Sequence, residues 1–142
     1  MSPTIQALIF DFDGLIIDTE LPELQSWQEV YQAHGCLLPH AEWIQSIGTA
    51  AVFDPYETLS VQLGKPVDKD SVRRIRRARF AELMADQTLL PGVRTYIDDA
   101  VDRQLKLAVA SSSPLAWVGS YLDKFEIRAF FDCVKCVVKY LQ

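Results

Sequence analysis

Short apolar runs alternate with helical patterns along this chain. The run at 7–10 is continuously apolar and is followed at once by polar residues, as in a parallel-sheet strand that is buried on both faces. A similar run at 105–110 predicts a second strand, and the apolar stretch 130–138 predicts a third. Helical spacing of apolar residues covers 93–103 and continues after Pro114. This alternation indicates an α/β fold built on a parallel sheet.

The stretch between the first two predicted strands carries only helical patterns. Pro22 suits a first helical turn, and apolar residues recur at helical spacing until Gly35. Further helical patterns are predicted at 41–47, 56–63 and 69–87. We expect the arginines of this last segment to form a solvated face and its apolar positions, Val72, Ile75, Phe80 and Leu83, to be buried. Residues 20–88 are therefore predicted to form an all-helical module.

Composition narrows the classes of function. The chain has 142 residues, 49% of them hydrophobic, and a net charge of −5, which argues against nucleic acid or an anionic membrane as a partner. The beginning of the chain does not resemble a secretory signal, and no apolar run reaches transmembrane length. With three cysteines, an odd number, we expect a reduced, cytoplasmic setting.

Cys133 and Cys136 have the spacing of half a zinc site. A structural zinc ion normally takes four ligands, and no second pair of ligands accompanies these two residues. We therefore expect two ordinary, partly buried thiols.

Two carboxylates follow the first predicted strand. Asp11 and Asp13 lie at its carboxyl end, where open α/β sheets bind their ligands. One carboxylate there can attack phosphorus, while the other protonates the leaving oxygen and then activates water. A bridging cation would offset the repulsion between nucleophile and phosphate, and oxygen ligands favour Mg²⁺.

Two other interpretations of Asp11 and Asp13 compete with this one. A calcium loop would need another oxygen ligand where Gly14 and Leu15 stand, and no helix precedes Asp11. Capping or solvating a turn is the usual role of a single Asp-Gly pair. The buried strand before this segment and Asp18 after it favour a catalytic role over such a turn.

A serine run follows the second predicted strand. The Ser111 hydroxyl and the backbone N–H groups of Ser112 and Ser113, at a helix N-terminus, could hold phosphate oxygens. Ser113 is also placed to cap the next helix, with Pro114 at the first helical position. Serines in loops mostly solvate or cap, so the signal depends on whether Ser111 lies beside Asp11.

These features together resemble the haloacid dehalogenase superfamily. The resemblance rests on the string Asp-x-Asp-Gly-φ-φ-φ-Asp-Thr at 11–19 (φ, apolar), the helical module after it, the Pro-Gly-Val return at 91–93 and the strand and serines at 107–113. Within the superfamily, the subgroup with a small helical cap, which includes phosphoglycolate phosphatase-like enzymes and β-phosphoglucomutases, is most similar.

The resemblance implies a partial Rossmann-like parallel sheet core with an inserted all-helical cap domain. The α/β phosphatase core would comprise 1–19 and 89–142, and the helical cap 20–88.

The resemblance also implies roles for individual residues. Asp11 would be the nucleophile and a Mg²⁺ ligand, and Asp13 the general acid/base that also offers its carbonyl oxygen to the metal. Ser111, with Ser112, would bind the phosphate. A carboxylate at Asp13 favours phosphoryl transfer over dehalogenation, and Glu23, where phosphomutases typically carry histidine, favours hydrolysis. We therefore expect a phosphatase that acts on small phosphorylated metabolites, with phosphomutase as an alternative.

The family's third motif is a lysine and its fourth an acidic pair, both beyond the serine motif. Lys135 and Lys139 are the lysines nearby, and both lie in or beside the predicted third strand. The acidic pair has no candidate. We therefore expect impaired turnover, or a non-catalytic protein that binds phosphate or a partner. An exposed sheet edge could be covered by a homodimer.

Overall fold

The computed structural model describes residues 4–47 and 53–137. Three strands are present in this part of the chain: β1 (Ala7–Phe10), β2 (Lys106–Ser111) and β3 (Cys133–Cys136). The helices are α1 (Glu20–Ala33), α2 (His40–Ser46), α3 (Pro55–Leu63), α4 (Lys69–Ala85), α5 (Val93–Asp102) and α6 (Leu115–Lys124), with a single 3-10 turn at Arg128–Phe130. The third strand is shorter than predicted, and the last position of that prediction lies outside the described residues.

The chain divides into two compact units. Residues Met1–Glu20 and Gln87–Gln142 form one, called here the α/β unit, and Leu21–Asp86 form the other, the helical unit. The α/β unit is therefore discontinuous in sequence. Among its described residues the helical unit contains helices and no strand.

The three strands form one parallel sheet in the order β1-β2-β3. Asp132 holds the register between β2 and β3. Its carboxylate accepts from the Leu107 N–H at 3.0 Å and from the Lys106 ammonium at 2.9 Å, and its own N–H donates to the Leu107 carbonyl at 2.8 Å. Hydrogen bonds to Lys106 and to the Leu107 N–H hold the Asp132 pKa below its usual range.

The expectation that β1 is buried on both faces was wrong. The Ile9 side chain is 71% exposed, and Leu8 is only half-buried. Among the described residues β1 pairs with β2 alone, so it forms an edge of the sheet, and no helix covers Ile9. Ile5 and Tyr96 are also exposed, and apolar hollows adjoin this edge.

The core of the α/β unit packs helices α5 and α6 against the sheet. The apolar faces of both helices are buried, as their 3.6-residue periodicity requires. The largest fully buried side chains among the described residues of this unit are Phe12, Ile16, Ile17, Ile97, Leu107, Val109, Val118, Leu122 and Ile127. The sheet and the loop after β1 thus share one hydrophobic core.

The helical unit has a separate aromatic core. Its buried residues are Trp27, Val30, Tyr31, Trp43, Leu59 and Val72. Trp27 packs edge-to-face on Tyr56 with ring centroids 4.9 Å apart. Asp68 caps α4 by accepting from the N–H groups of Asp70 and Ser71, which explains where this helix begins.

Two expectations for α4 were wrong. Ile75 is 57% exposed, whereas Met84, which the pattern did not select, is buried. The arginines do not all lie on a solvated face: the Arg76 side chain is only 14% exposed and donates to Glu23 at 2.7 Å. Arg79 binds Glu29 with two nitrogens, at 2.7 and 3.2 Å. These carboxylates on α1 draw the two arginines against it.

No helix within residues 4–47 and 53–137 is both long enough and apolar enough to cross a bilayer.

Candidate active site

The parallel pairing of β1 and β2 determines where the candidate residues lie. Phe10 pairs with Val109, so Asp11 and Ser111 follow at the same edge of the sheet, on adjacent strands. Cys136, at the end of β3, pairs with Ser111. The carboxyl ends of all three strands therefore meet here, where open α/β sheets bind their ligands. The sequence predicted this placement for Asp11 and Ser111.

The loop after β1 is anchored by its apolar residues. Phe12, Ile16 and Ile17 are fully buried, while Asp11 is exposed and its carboxylate accepts from the Phe12 N–H at 2.6 Å. Gly14 has φ = +76°, a left-handed conformation that side-chain-bearing residues rarely adopt, and its N–H donates to the Ile17 carbonyl at 2.8 Å. The apolar positions of the motif thus fix the loop so that its aspartates lie away from the core.

Asp13 lies at the centre of a hydrogen-bonded cluster. Its Oδ2 accepts from the Ser113 hydroxyl at 2.5 Å and from the Ser111 hydroxyl at 3.4 Å. Its Oδ1 accepts from the indole N–H of Trp117 at 3.2 Å. Side chains from β2, the following loop and α6 therefore hold both oxygens of this carboxylate.

The serine loop differs from its prediction in two respects. Ser113 does not cap α6: the N-cap residue is Pro114, and the Ser113 hydroxyl is directed to Asp13 instead. The Ser113 N–H, expected to face phosphate, donates to the Ser111 hydroxyl at 3.0 Å. Ser112 is exposed at the loop tip. The hydrogen bonds to Asp13 replace the local cap that the sequence suggested.

Sequence reasoning missed Trp117 and Cys136 as residues of this site. Trp117 lies in the first turn of α6, and long helical side chains lean toward the helix N-terminus, which here faces the strand ends. The sequence feature that could have indicated Trp117 is its position shortly after the serine run at the end of a predicted strand. Burial raises the pKa of the Cys136 thiol, and the negative charge of nearby Asp13 raises it further. All three cysteines of the chain are free and partly buried.

The donors that could hold a metal are few. Among residues 4–47 and 53–137 no group of three or more His, Cys, Asp or Glu side chains could hold a metal ion. Asp11 offers an exposed carboxylate and Asp13 a main-chain carbonyl, both hard oxygen ligands of the type that Mg²⁺ prefers. Mg²⁺ commonly binds through one or two carboxylates and retains several waters, so the donor chemistry fits this ion.

The third-motif lysine has no clear counterpart in the described residues. Lys135 is exposed within β3, in register with Ala110, and Lys139 lies outside them.

Comparison with known proteins identifies the family. Residues 8–142 match the family described as haloacid dehalogenase-like hydrolase. This chain belongs to that family. YhcW of Bacillus subtilis (strain 168), a phosphatase by name, is 43% identical over 131 residues, which cover 92% of this chain and 60% of that protein.

Two more distant proteins are similar as well. A Thermotoga maritima protein named "Phosphorylated carbohydrates phosphatase" is 25% identical over 136 residues, covering 90% of this chain and 59% of that protein. A Thermotoga maritima crystal structure described as a β-phosphoglucomutase has a TM-score of 0.73 at 20% identity, covering 97% of this chain and 65% of the other. The fold of the α/β core is thus that of haloacid dehalogenase-like proteins. The chain spans about 60% of the length of the curated relatives that it matches.

Proposed function

We propose that the strand-end cluster belongs to a phosphatase that acts through an aspartyl-phosphate intermediate. The observation that carries the proposal is the contact between Asp13 and Ser111 at the ends of adjacent strands, with Asp11 at the same edge. This arrangement supplies a nucleophile, a proton-transferring carboxyl group and a hydroxyl for the phosphate within one site. Membership of a family of hydrolases and similarity to a protein named as a phosphatase support it.

The reaction would take place in two steps. An Asp11 oxygen attacks phosphorus, the bond from phosphorus to the leaving oxygen breaks, and that oxygen keeps the electron pair and takes a proton from the Asp13 carboxyl group. Water then attacks the phosphorus and gives a proton to the Asp13 carboxylate as the bond to Asp11 breaks. Inorganic phosphate leaves, and both aspartates return to their starting states.

Mg²⁺ is the proposed cofactor, held by the Asp11 carboxylate and the Asp13 carbonyl. When bound, it would neutralise charge on the phosphate and reduce its repulsion of the nucleophile. The Ser111 hydroxyl, with Ser112 beside it, would orient the phosphate oxygens. Each of these residues belongs to the α/β unit.

We propose small phosphorylated metabolites, in particular sugar phosphates, as the substrates. The support is the name of the Thermotoga maritima relative, which refers to phosphorylated carbohydrates. The phosphoryl group would lie at the strand ends, and residues outside this cluster would recognise the rest of the substrate.

The test is hydrolysis of p-nitrophenyl phosphate and of a panel of sugar monophosphates in the presence of Mg²⁺, with Asp11→Asn as the matched control. We expect phosphate release by the wild-type chain and none by Asp11→Asn. Equal release by both proteins, or none by a folded wild-type chain, would refute the proposed function.

A phosphomutase is a second candidate, since one structural neighbour is described as a β-phosphoglucomutase. The two activities differ in their products. A mutase converts one sugar phosphate into its isomer, whereas a phosphatase releases inorganic phosphate. Phosphorus NMR of a reaction with a sugar monophosphate separates the two, and we expect the inorganic phosphate signal to grow.

A further inference from the structure

We propose that Trp117 is a positioning residue that determines which oxygen of Asp13 carries the proton; this inference rests on the proposed function. The indole nitrogen of Trp117 donates to Oδ1 of Asp13 at 3.2 Å. An indole N–H is a donor only and cannot accept a hydrogen bond. A proton on Oδ1 would therefore face another hydrogen and lose this contact.

The second oxygen has partners of a different kind. Oδ2 contacts the hydroxyls of Ser113 at 2.5 Å and of Ser111 at 3.4 Å. A serine hydroxyl donates and accepts, so it can reverse its direction when Asp13 becomes protonated. Oδ2 is thus the oxygen that can gain or lose a proton while every hydrogen bond is kept.

Packing keeps the indole in place for this role. Trp117 lies in the first turn of α6 and packs edge-to-face on Tyr121, one turn further along, with ring centroids 4.8 Å apart. The Ser120 hydroxyl donates to the Trp117 carbonyl at 2.7 Å. One oxygen of Asp13 thus has a partner that can only donate, and the other has partners that can also accept, so Oδ2 is the oxygen through which Asp13 transfers its proton.

Leaving-group dependence separates this role from general structural damage. An alkyl phosphate such as glycerol phosphate needs protonation of its leaving oxygen, whereas p-nitrophenolate leaves without it. In Trp117→Phe and Ser113→Ala we expect kcat/KM to fall about 10- to 100-fold for glycerol phosphate and less than about 3-fold for p-nitrophenyl phosphate. Ser113→Thr should restore the alkyl phosphate activity, and Leu115→Ala, at an exposed position in the same turn of α6, should behave as wild type.

The result that would overturn the proposal is an equal loss on both substrates in Trp117→Phe. A second measurement does not depend on activity: the indole N–H resonance of Trp117, identified by its absence in Trp117→Phe, should move upfield in Asp13→Asn. An unchanged resonance would also overturn the proposal. If the wild type and Asp11→Asn both lack turnover, the proposed function fails, and this resonance still decides whether Trp117 contacts Asp13.

Discussion

The hydroxyl of Tyr31 donates to the main-chain carbonyl of Pro55 at 2.7 Å, joining α1 to the start of α3. Tyr31 is fully buried, and this burial raises the pKa of its hydroxyl to about 12. Electrostatic interactions with Cys36 and Asp54 act in the same direction. One hydrogen bond in the aromatic core thus links two helices of the helical unit. The folded chain favours the neutral form of the Tyr31 side chain.

Tyr31 is expected to make stability fall at alkaline pH. The unfolded chain loses the Tyr31 proton near the usual pKa of 10, whereas the folded chain keeps it to about 12. The contribution of the Tyr31 hydroxyl to the free energy of unfolding is therefore fully present below pH 10, and it is lost as the pH rises from 10 to about 12. Urea unfolding between pH 9 and 11 should show a shallower decline for Tyr31→Phe than for wild type. The exposed Tyr96→Phe serves as control, and a decline as steep in Tyr31→Phe as in Tyr96→Phe would contradict the prediction.

Leu122 and Leu115 provide a matched pair on α6. Leu122 is fully buried, whereas Leu115 is 49% exposed. We expect Leu122→Ala to lower the free energy of unfolding by about 2–5 kcal/mol, because it removes buried methyl groups and leaves a cavity. Leu115→Ala should change it by less than about 0.5 kcal/mol. Urea unfolding followed by circular dichroism measures both, and equal effects would show that α6 does not pack as described.

The ion pair between Glu29 and Arg79 should depend on both pH and salt. Hydrogen bonds from Arg79, and then from Gln25, hold the Glu29 pKa below its usual 4.5, so its contribution to stability is present above about pH 4.5 and lost as pH falls below that value. We expect Glu29→Gln to lower the melting temperature at pH 7 and to match wild type in strong acid. High salt should reduce the difference, since both side chains are 38% exposed.

The control for this pair is Glu42→Gln, an exposed residue of α2 that forms no ion pair among residues 4–47 and 53–137. It should leave the melting temperature nearly unchanged at every pH. A difference between Glu29→Gln and wild type that persists unchanged at pH 3 would show that the ion pair is not its cause.

Ile9 provides a test of self-association through the sheet edge. β1 carries four apolar residues and no charged side chain that would discourage pairing with another strand. We expect the wild-type chain to associate with a second copy, and Ile9→Lys to be monomeric by light scattering. Val61→Lys, at a position 75% exposed on α3, should not change the oligomeric state. A monomeric wild type would remove the homodimer that the sequence suggested.

Local patterns made much of the fold predictable. The positions of the helices and of the first two strands follow from the spacing of apolar residues and from proline and glycine at element ends. The placement of Asp11 and Ser111 at one sheet edge needed only the parallel pairing of consecutive strands. These features depend on short stretches of sequence or on a general rule of topology.

Contacts between distant residues could not be predicted in this way. Trp117 reaches Asp13 across 104 positions, and Arg76 reaches Glu23 across 53, so neither contact leaves a local pattern. Ser113 had a plausible local role as a helix cap, and a distant carboxylate outweighed it. The exposure of Ile9 could not be predicted, because it depends on which strands lie beside β1, and an apolar run does not specify its neighbours.

The discontinuity of the α/β unit bears on how the chain folds during synthesis. β2 and β3 are separated only by α6 and a short 3-10 turn, and Leu107 and Asp132 are 25 positions apart, so these strands can pair early. β1 pairs with residues roughly 100 positions further along the chain, and the intervening sequence includes the whole helical unit. At typical ribosomal rates, the four apolar residues of β1 wait about 5 to 20 seconds for their partner to be made. For that interval the apolar side chains and main-chain groups of β1 have no neighbouring strand to pair with.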